Sequence, residues 1–215
     1  MTDTIGTVLN NPAARRVMSV VIEPTARLML RLRVSPDAVT VFGTAAVVAV
    51  ALICLPRGWF IPAVLIILVL AFSDLLDGTM ARLAGTSGPW GNFLDATLDR
   101  IGDGAIFGGL ALYGAFNDQP WLTAAATLAL VTGQVTSYAK ARAEAVGATA
   151  NVGVAERAER LIIAGVAVLL AGFGVPYVLP VSLWIIGALG IVTIAQRIIT
   201  VRGQLIVRPQ PDAHE

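Results

Sequence analysis

Cysteine and histidine are almost missing from this chain of 215 residues, which holds one of each, Cys54 and His214. A single cysteine excludes an intrachain disulfide. One Cys and one distant His cannot build a Cys/His zinc site or a histidine-based triad within one chain. Charge is also scarce. Asp, Glu, Lys and Arg make up 13% of the residues, where a soluble domain carries about 25%. Hydrophobic residues make up 56%, and mean hydropathy is +0.78. That composition places the chain among membrane proteins. A net charge of +1 carries no signature of nucleic-acid binding. Acid–base or metal chemistry therefore falls to carboxylates, of which there are only 14.

The uncharged runs define the expected spans. Nineteen residues separate Asp37 from Arg57, and Gly58 to Ser73 gives 16 more. Gly104 to Asn117 gives 14, Gln119 to Ala139 gives 21, and Leu161 to Gln196 gives 36. About 20 helical residues cross the roughly 30 Å hydrocarbon core. The longest run is broken at Gly172-Phe173-Gly174-Val175-Pro176 and at Pro180, so it holds two spans. The expected fold is all-α and integral to the membrane. Its six transmembrane helices fall near 37–56, 60–84, 91–117, 119–145, 155–175 and 179–201. The second and third include charged stretches, Asp74 to Arg82 and Asp95 to Asp103.

The basic residues fit this topology. With six spans, 14 of the 15 Lys and Arg fall on or toward one side, and only Arg57 falls opposite. The positive-inside rule makes the crowded side cytoplasmic. Residues 1–36 form a cytoplasmic N-terminal segment, in which the apolar stretch Val17 to Ile22 is too short for a cleaved signal. Val17, Val20, Val21, Leu28, Met29 and Leu32 alternate there with Arg27, Arg31 and Arg33. This suits an amphipathic helix lying on the membrane surface. Residues 37–201 are expected to form one six-helix transmembrane domain, which would carry whatever chemistry the chain performs. Residues 202–215, with Pro209 and Pro211, are expected to be a disordered tail.

Four aspartates carry the chemistry. Asp74 and Asp77 are three apart and share a face of the second span; Asp95 and Asp99 are four apart and share a face of the third. The short loop from Gly85 to Gly91 makes these spans antiparallel neighbours, so the four carboxylates can converge. Clustered ionised aspartates repel, and each costs a few kcal/mol near the membrane. Cations among them remove the difficulty. Oxygen ligands without His or Cys select Mg²⁺ or Mn²⁺ before Zn²⁺, and paired ions suit displacement at phosphorus. Gly78 and Ala81 keep one face of the second span thin, and Arg82 is placed to meet a phosphate. The structural alternative for any one aspartate is a helix cap or an ion pair with Arg82 or Arg100. Asp103 continues the face and is read as a helix-internal partner of Arg100.

As it stands from Asp74 to Asp99, the pattern Asp-x2-Asp-Gly-x2-Ala-Arg-x8-Gly-x3-Asp-x3-Asp resembles the signature of the CDP-alcohol phosphotransferase family, with all eight positions present. The resemblance implies a dimeric six-helix membrane enzyme that displaces CMP from a CDP-linked donor with an acceptor hydroxyl and two divalent ions. It implies that Asp74, Asp77 and Asp95 hold the metals. Asp99 would complete the second metal site and take the acceptor proton as the catalytic base. Gly78 and Arg82 would contact the nucleotide diphosphate. Ser35-Pro36-Asp37-Ala38-Val39-Thr40 resembles the family's Ser-Pro-Asn-x-x-Thr segment at the cytidine site, with Asp37 in place of the commoner Asn. The same residues also read as a helix start, Ser35 capping and Pro36 in the first turn. The loop at Gly88 is a further candidate for nucleotide contact.

The acceptor is read from the second half. Ser137, Lys140, Arg157, Arg160 and Arg197 all fall toward the cytoplasmic face and suit a pocket for a second phosphate. The alternative is positive-inside decoration. The segments Ser137-Tyr138-Ala139-Lys140-Ala141-Arg142-Ala143-Glu144 and Glu156-Arg157-Ala158-Glu159-Arg160 resemble the actinobacterial phosphatidylinositol phosphate synthases within that family. This implies CDP-diacylglycerol as donor and inositol 1-phosphate as acceptor. Glycerol 3-phosphate, the acceptor of a phosphatidylglycerophosphate synthase, is the alternative. In a different class, intramembrane aspartates also suit a divalent-cation transporter.

Overall fold

Prolines open the helices and uncharged runs extend them. The computed structural model describes residues 22–86 and 88–207, with the side chains of 72–75 and 207 outside the description. Among the described residues seven α-helices follow in order: α1 (Glu23–Arg31), α2 (Pro36–Cys54), α3 (Phe60–Ala84), α4 (Pro89–Phe116), α5 (Pro120–Ala145), α6 (Arg157–Gly172) and α7 (Val178–Val207). A short 3₁₀ turn, Leu55–Arg57, follows α2. No strand occurs among the described residues. Pro36, Pro89 and Pro120 each take the first position of a helix, where the missing N–H costs nothing. Ser35 accepts a hydrogen bond from Ala38 N at 3.2 Å, the cap expected of it.

Helix ends close by a common device. A residue in the left-handed conformation follows the last turn, as Gly85 does after α3 (φ 67°) and Asp118 after α4 (φ 52°). The next N–H then reaches back five residues: Thr86 N donates to Ala81 O at 3.0 Å and Gln119 N to Gly114 O at 2.8 Å. This satisfies carbonyls that a helix end leaves open.

Helices α2 to α7 fall where the six spans were expected, with ends within three residues of the expected ones except at the close of α7. By length and composition, three stretches are able to cross a membrane: Pro36–Arg57, Phe60–Ala84 and Val178–Ile206, with hydropathies of 2.5, 2.3 and 2.3. The others differ for visible reasons. Helix α6 has only 16 residues. Helix α4 opens on Asp95, Asp99, Arg100 and Asp103. Helix α5 is diluted by Thr123, Thr127, Thr132, Gln134 and Thr136. Four of its hydroxyls donate to carbonyls four residues back, at 2.7 to 3.3 Å, which limits their cost in an apolar medium. Helix α7 stays helical to Val207, past the expected end at 201. The remainder of the tail, and the expected amphipathic positions Val17 to Val21, lie outside the described residues.

Two compact units divide the chain. The first holds the described residues to Ala49 with Leu65–Gly102; the second holds Val50–Val64 with the residues from Asp103 onward. In the first, Met80 and Ala26 are fully buried, and Thr79 and Ile22 nearly so. In the second, α5 and α6 both pack against α7 around Leu110, Leu122, Leu183 and Ile186. Small residues set the close approaches. A Cβ added to Gly190 would lie 2.5 Å from Thr132 Oγ1, and one on Gly109 2.5 Å from the Ala51 carbonyl oxygen. Large apolar side chains face outward, among them Trp121 (75% exposed), Tyr177 (80%) and Ile199 (71%). Such a surface suits lipid and not water.

The Gly109 contact is with backbone, which cannot rotate away. Gly109→Val is therefore expected to cost about 1–3 kcal/mol, read as a lowered Tm in detergent. Gly108→Val, at a site with nothing within 4 Å of an added Cβ, is the control and should change little.

Candidate active site

Three helices of the first unit present the motif residues. Asp77 follows Asp74 by three residues on α3, and Asp95 and Asp99 lie one turn apart on α4. Asp77 and Asp99 are half-buried and Asp95 is exposed. The Asp74 side chain lies outside the description. Thr40 on α2 donates its hydroxyl to Asp77 Oδ2 at 2.6 Å. A hydrogen bond to a carboxylate is short and strong, so it orients Asp77. Arg82 donates through Nη2 to Thr79 Oγ1 at 2.9 Å, which steadies an otherwise exposed guanidinium. Arg100 Nη2 stands 3.8 Å from Asp99 Oδ2. Apart from the adjoining turns of its own helix, no described atom lies within 4 Å of a Cβ built on Gly78, consistent with a face open to a ligand.

Trp90 is a residue the motif did not flag. Its indole N–H donates to Asp37 Oδ2 at 2.9 Å, and its ring lies 6.0 Å from that of Phe93. Asp37, in the place of an amide, thus serves as acceptor and ties the start of α2 to the start of α4. The only hint in the sequence was position, since Trp90 directly precedes Gly91 of the motif. Ala38 and Val39 complete that first turn of α2, and Gly88 directly precedes α4.

The donors present fit a hard divalent ion, because all are carboxylate oxygens. Among the described side chains, no three acidic, Cys or His residues stand close enough to hold a metal. Asp74, which would complete the set, is the motif carboxylate whose side chain is not among those described.

The basic residues belong to the second unit. Arg157 Nε donates to both oxygens of Asp103, at 3.1 and 3.3 Å; Asp103 is buried. Asp103, expected to pair with Arg100, is thus engaged from 54 positions away. Arg160 is 2% exposed; its Nη1 donates to Ala155 O at 3.3 Å. A Cβ on Gly133 would come 3.6 Å from Arg160 Nε, ordinary van der Waals contact, so the guanidinium lies against this stretch of α5. Arg197 is 4% exposed and donates to Val152 O at 3.0 Å and Thr136 O at 2.6 Å. Ser137 donates to Gly133 O at 3.2 Å. Lys140 and Arg157 are the half-exposed cations of the group.

Residues 33–196 match the CDP-alcohol phosphatidyltransferase family. The chain is 48% identical over 209 residues to a phosphatidylinositol phosphate synthase of Streptomyces avermitilis, covering 94% of this chain and 86% of that one. It is 43% identical to a synthase of the same name from Corynebacterium glutamicum, covering 86% and 85%. A crystal structure of the Mycobacterium tuberculosis phosphatidylinositol phosphate synthase with CDP-DAG bound superposes with a TM-score of 0.81 at 41% identity, covering 84% and 93%. The same enzyme is known in complex with manganese and citrate, again with a TM-score of 0.81 at 41% identity, covering 85% and 89%.

The chain belongs to the CDP-alcohol phosphatidyltransferase family. It is an enzyme and a multi-pass membrane protein, which removes the cation-transporter reading. Family and manganese complex together support the use of a divalent metal.

The Arg157–Asp103 pair is open to a double-mutant cycle. Asp103→Asn and Arg157→Gln should each lower Tm, and the double variant should lose less than the sum. A coupling of about 0.5–3 kcal/mol is expected for residues in contact. Strictly additive losses would show that the pair contributes nothing.

Proposed function

We infer that this chain transfers the phosphatidyl group of CDP-diacylglycerol to a hydroxyl of inositol 1-phosphate, giving phosphatidylinositol phosphate and CMP. The observation that carries the reading is 41–48% identity, over most of the chain, to proteins bearing that activity in their name, with all eight positions of the aspartate motif present. Six membrane crossings by α2 to α7, with α1 on the cytoplasmic surface, follow from the charge distribution. On that topology the active site faces the cytoplasm at the plasma membrane. A homodimer follows from the family resemblance.

The acceptor hydroxyl oxygen forms a bond to the lipid-bearing phosphorus. The bond from that phosphorus to the bridging oxygen breaks, and CMP leaves with the electron pair. Asp99 takes the hydroxyl proton on a carboxylate oxygen. Asp74, Asp77, Asp95 and Asp99 would hold two Mg²⁺, or Mn²⁺ in their place. Bound there, such ions neutralise charge that builds on the diphosphate oxygens. Gly78 and Arg82 receive the diphosphate, and residues Asp37, Ala38, Val39, Thr40 and Gly88 line the cytidine. Ser137, Lys140, Arg157, Arg160 and Arg197 serve the acceptor's phosphate. Direct contact falls first to the half-exposed Lys140 and Arg157; the buried Arg160 and Arg197 are aimed by backbone carbonyls.

The test is an acceptor panel. Purified enzyme with CDP-diacylglycerol and Mg²⁺ is offered inositol 1-phosphate, glycerol 3-phosphate, inositol and serine, and CMP is measured. Inositol 1-phosphate should give the highest kcat/KM. A preference for glycerol 3-phosphate would overturn the assignment in favour of a phosphatidylglycerophosphate synthase.

Two kinetic outcomes follow from the roles. Asp99→Asn keeps the size and loses the base, so kcat should fall by about 10²–10⁴-fold with the fold intact; near-normal kcat would remove Asp99 as base. Arg157→Ala should raise KM for inositol 1-phosphate by roughly one to two decades, since a hydrogen bond to a charged group is worth about 1.5–3 kcal/mol. Arg82→Ala should instead raise KM for CDP-diacylglycerol. A two-substrate kinetic matrix separates them, and equal effects on both substrates would contradict the division.

A further inference from the structure

The segment between α5 and α6 has no regular structure, yet its backbone is accounted for by one stripe of α7. Thr193, Arg197, Val201 and Gln204 are spaced four, four and three residues apart, a single helix face. The Gln204 side chain clasps Thr149 from both sides: Thr149 N donates to Oε1 at 2.9 Å, and Nε2 donates to Thr149 O at 2.8 Å. Val201 packs on the buried alanines Ala143, Ala148 and Ala150. Arg197 Nε donates to Val152 O. Thr193 Oγ1 accepts from Ala155 N at 3.4 Å. Residues 149 to 155 thus run antiparallel along α7 as a strap, pinned at its first, middle and last residue. Gly153 fits the strap flat, since a Cβ there would come 2.5 Å from Thr193 Cγ2.

The strap touches the basic cluster at two places and leads straight into a third. Val152 O fixes the Arg197 guanidinium. Ala155 O receives Arg160 Nη1. Glu156, the next residue, caps α6 and accepts from Arg160 N at 3.3 Å, immediately before Arg157. Moving the strap therefore moves the acceptors that aim two arginines and the start of the helix that carries a third.

We propose that Gln204 and Thr193 are positioning residues for the acceptor site, acting through the 149–155 strap on Arg197, Arg160 and Arg157. The proposal rests on the reading of this cluster as the acceptor-phosphate site. Neither residue touches substrate. Together they hold the strap's carbonyls where the arginines need them.

Gln204→Leu removes all three hydrogen bonds to Thr149, those of its N–H, its carbonyl and its hydroxyl, at similar size. Gly153→Ala lifts the strap from Thr193 at its other end. In two-substrate kinetics each should raise KM for inositol 1-phosphate about three- to tenfold, the scale of one or two neutral hydrogen bonds. KM for CDP-diacylglycerol and kcat should stay within about twofold. Hydrogen exchange of the 148–155 amides should rise in both variants. A residue that merely supports the fold would lower Tm without splitting the two KM values. An unchanged acceptor KM, or equal rises for both substrates, overturns the proposal; if Gln204→Leu does not fold, Gly153→Ala decides alone. Arg157→Ala in the same matrix separates the two claims. If it raises the acceptor KM and the strap variants do not, the strap role alone fails. If Arg157→Ala is also silent, the acceptor site itself is misplaced.

Discussion

Charge is costly in hydrocarbon, at roughly 2.5–3.5 kcal/mol for a central Asp, Lys or Arg on insertion scales, and that cost organises this protein. The chain has few charges and confines them. Aspartates sit in the later part of α3 and the opening of α4, where the sequence otherwise reads as bilayer segment. Carboxylates so placed persist when something stabilises them. Here the Thr40 hydroxyl holds Asp77 and Arg100 approaches Asp99, while Arg157 neutralises Asp103 in the second unit. On the proposed function, divalent ions held by the motif aspartates would extend the same logic and turn a liability of the membrane setting into a device for handling phosphate.

The buried arginines follow the rule in reverse. Arg160 and Arg197 carry guanidinium groups, each with five N–H donors and no acceptor. Each must therefore find acceptors. Carbonyls of the α5–α6 strap and of α5 supply them. The strap in turn has no helical hydrogen bonds of its own, and a buried backbone group without a partner is costly. Strap and α7 stripe satisfy each other, so an irregular segment gains a fixed position.

Much of this was legible in the sequence, and the reason lies in period. The helices were visible because uncharged runs of membrane length stop at prolines, glycines and charges. The aspartate face was visible because three- and four-residue spacings are local. Trp90 with Asp37, and Arg157 with Asp103, were not visible, because those partners are 53 and 54 positions apart and nothing in the pattern couples them. The strap was invisible for a different reason. Residues 149–155 have no periodicity, and Gln204 lies in a stretch whose polarity reads as a tail. The helical course to Val207 comes from the stripe that engages the strap, a tertiary effect that local composition does not encode.

The central claim is that the aspartate face of α3 and α4 holds the ions on which transfer depends. It is tested most directly by Mn²⁺ binding to the purified enzyme, counted by electron paramagnetic resonance of the free ion. Wild type should bind two ions per chain, and Asp77→Asn should lose at least one while keeping its Tm. Wild-type stoichiometry in Asp77→Asn, together with metal-dependent CMP release, would contradict the account and place the ions elsewhere.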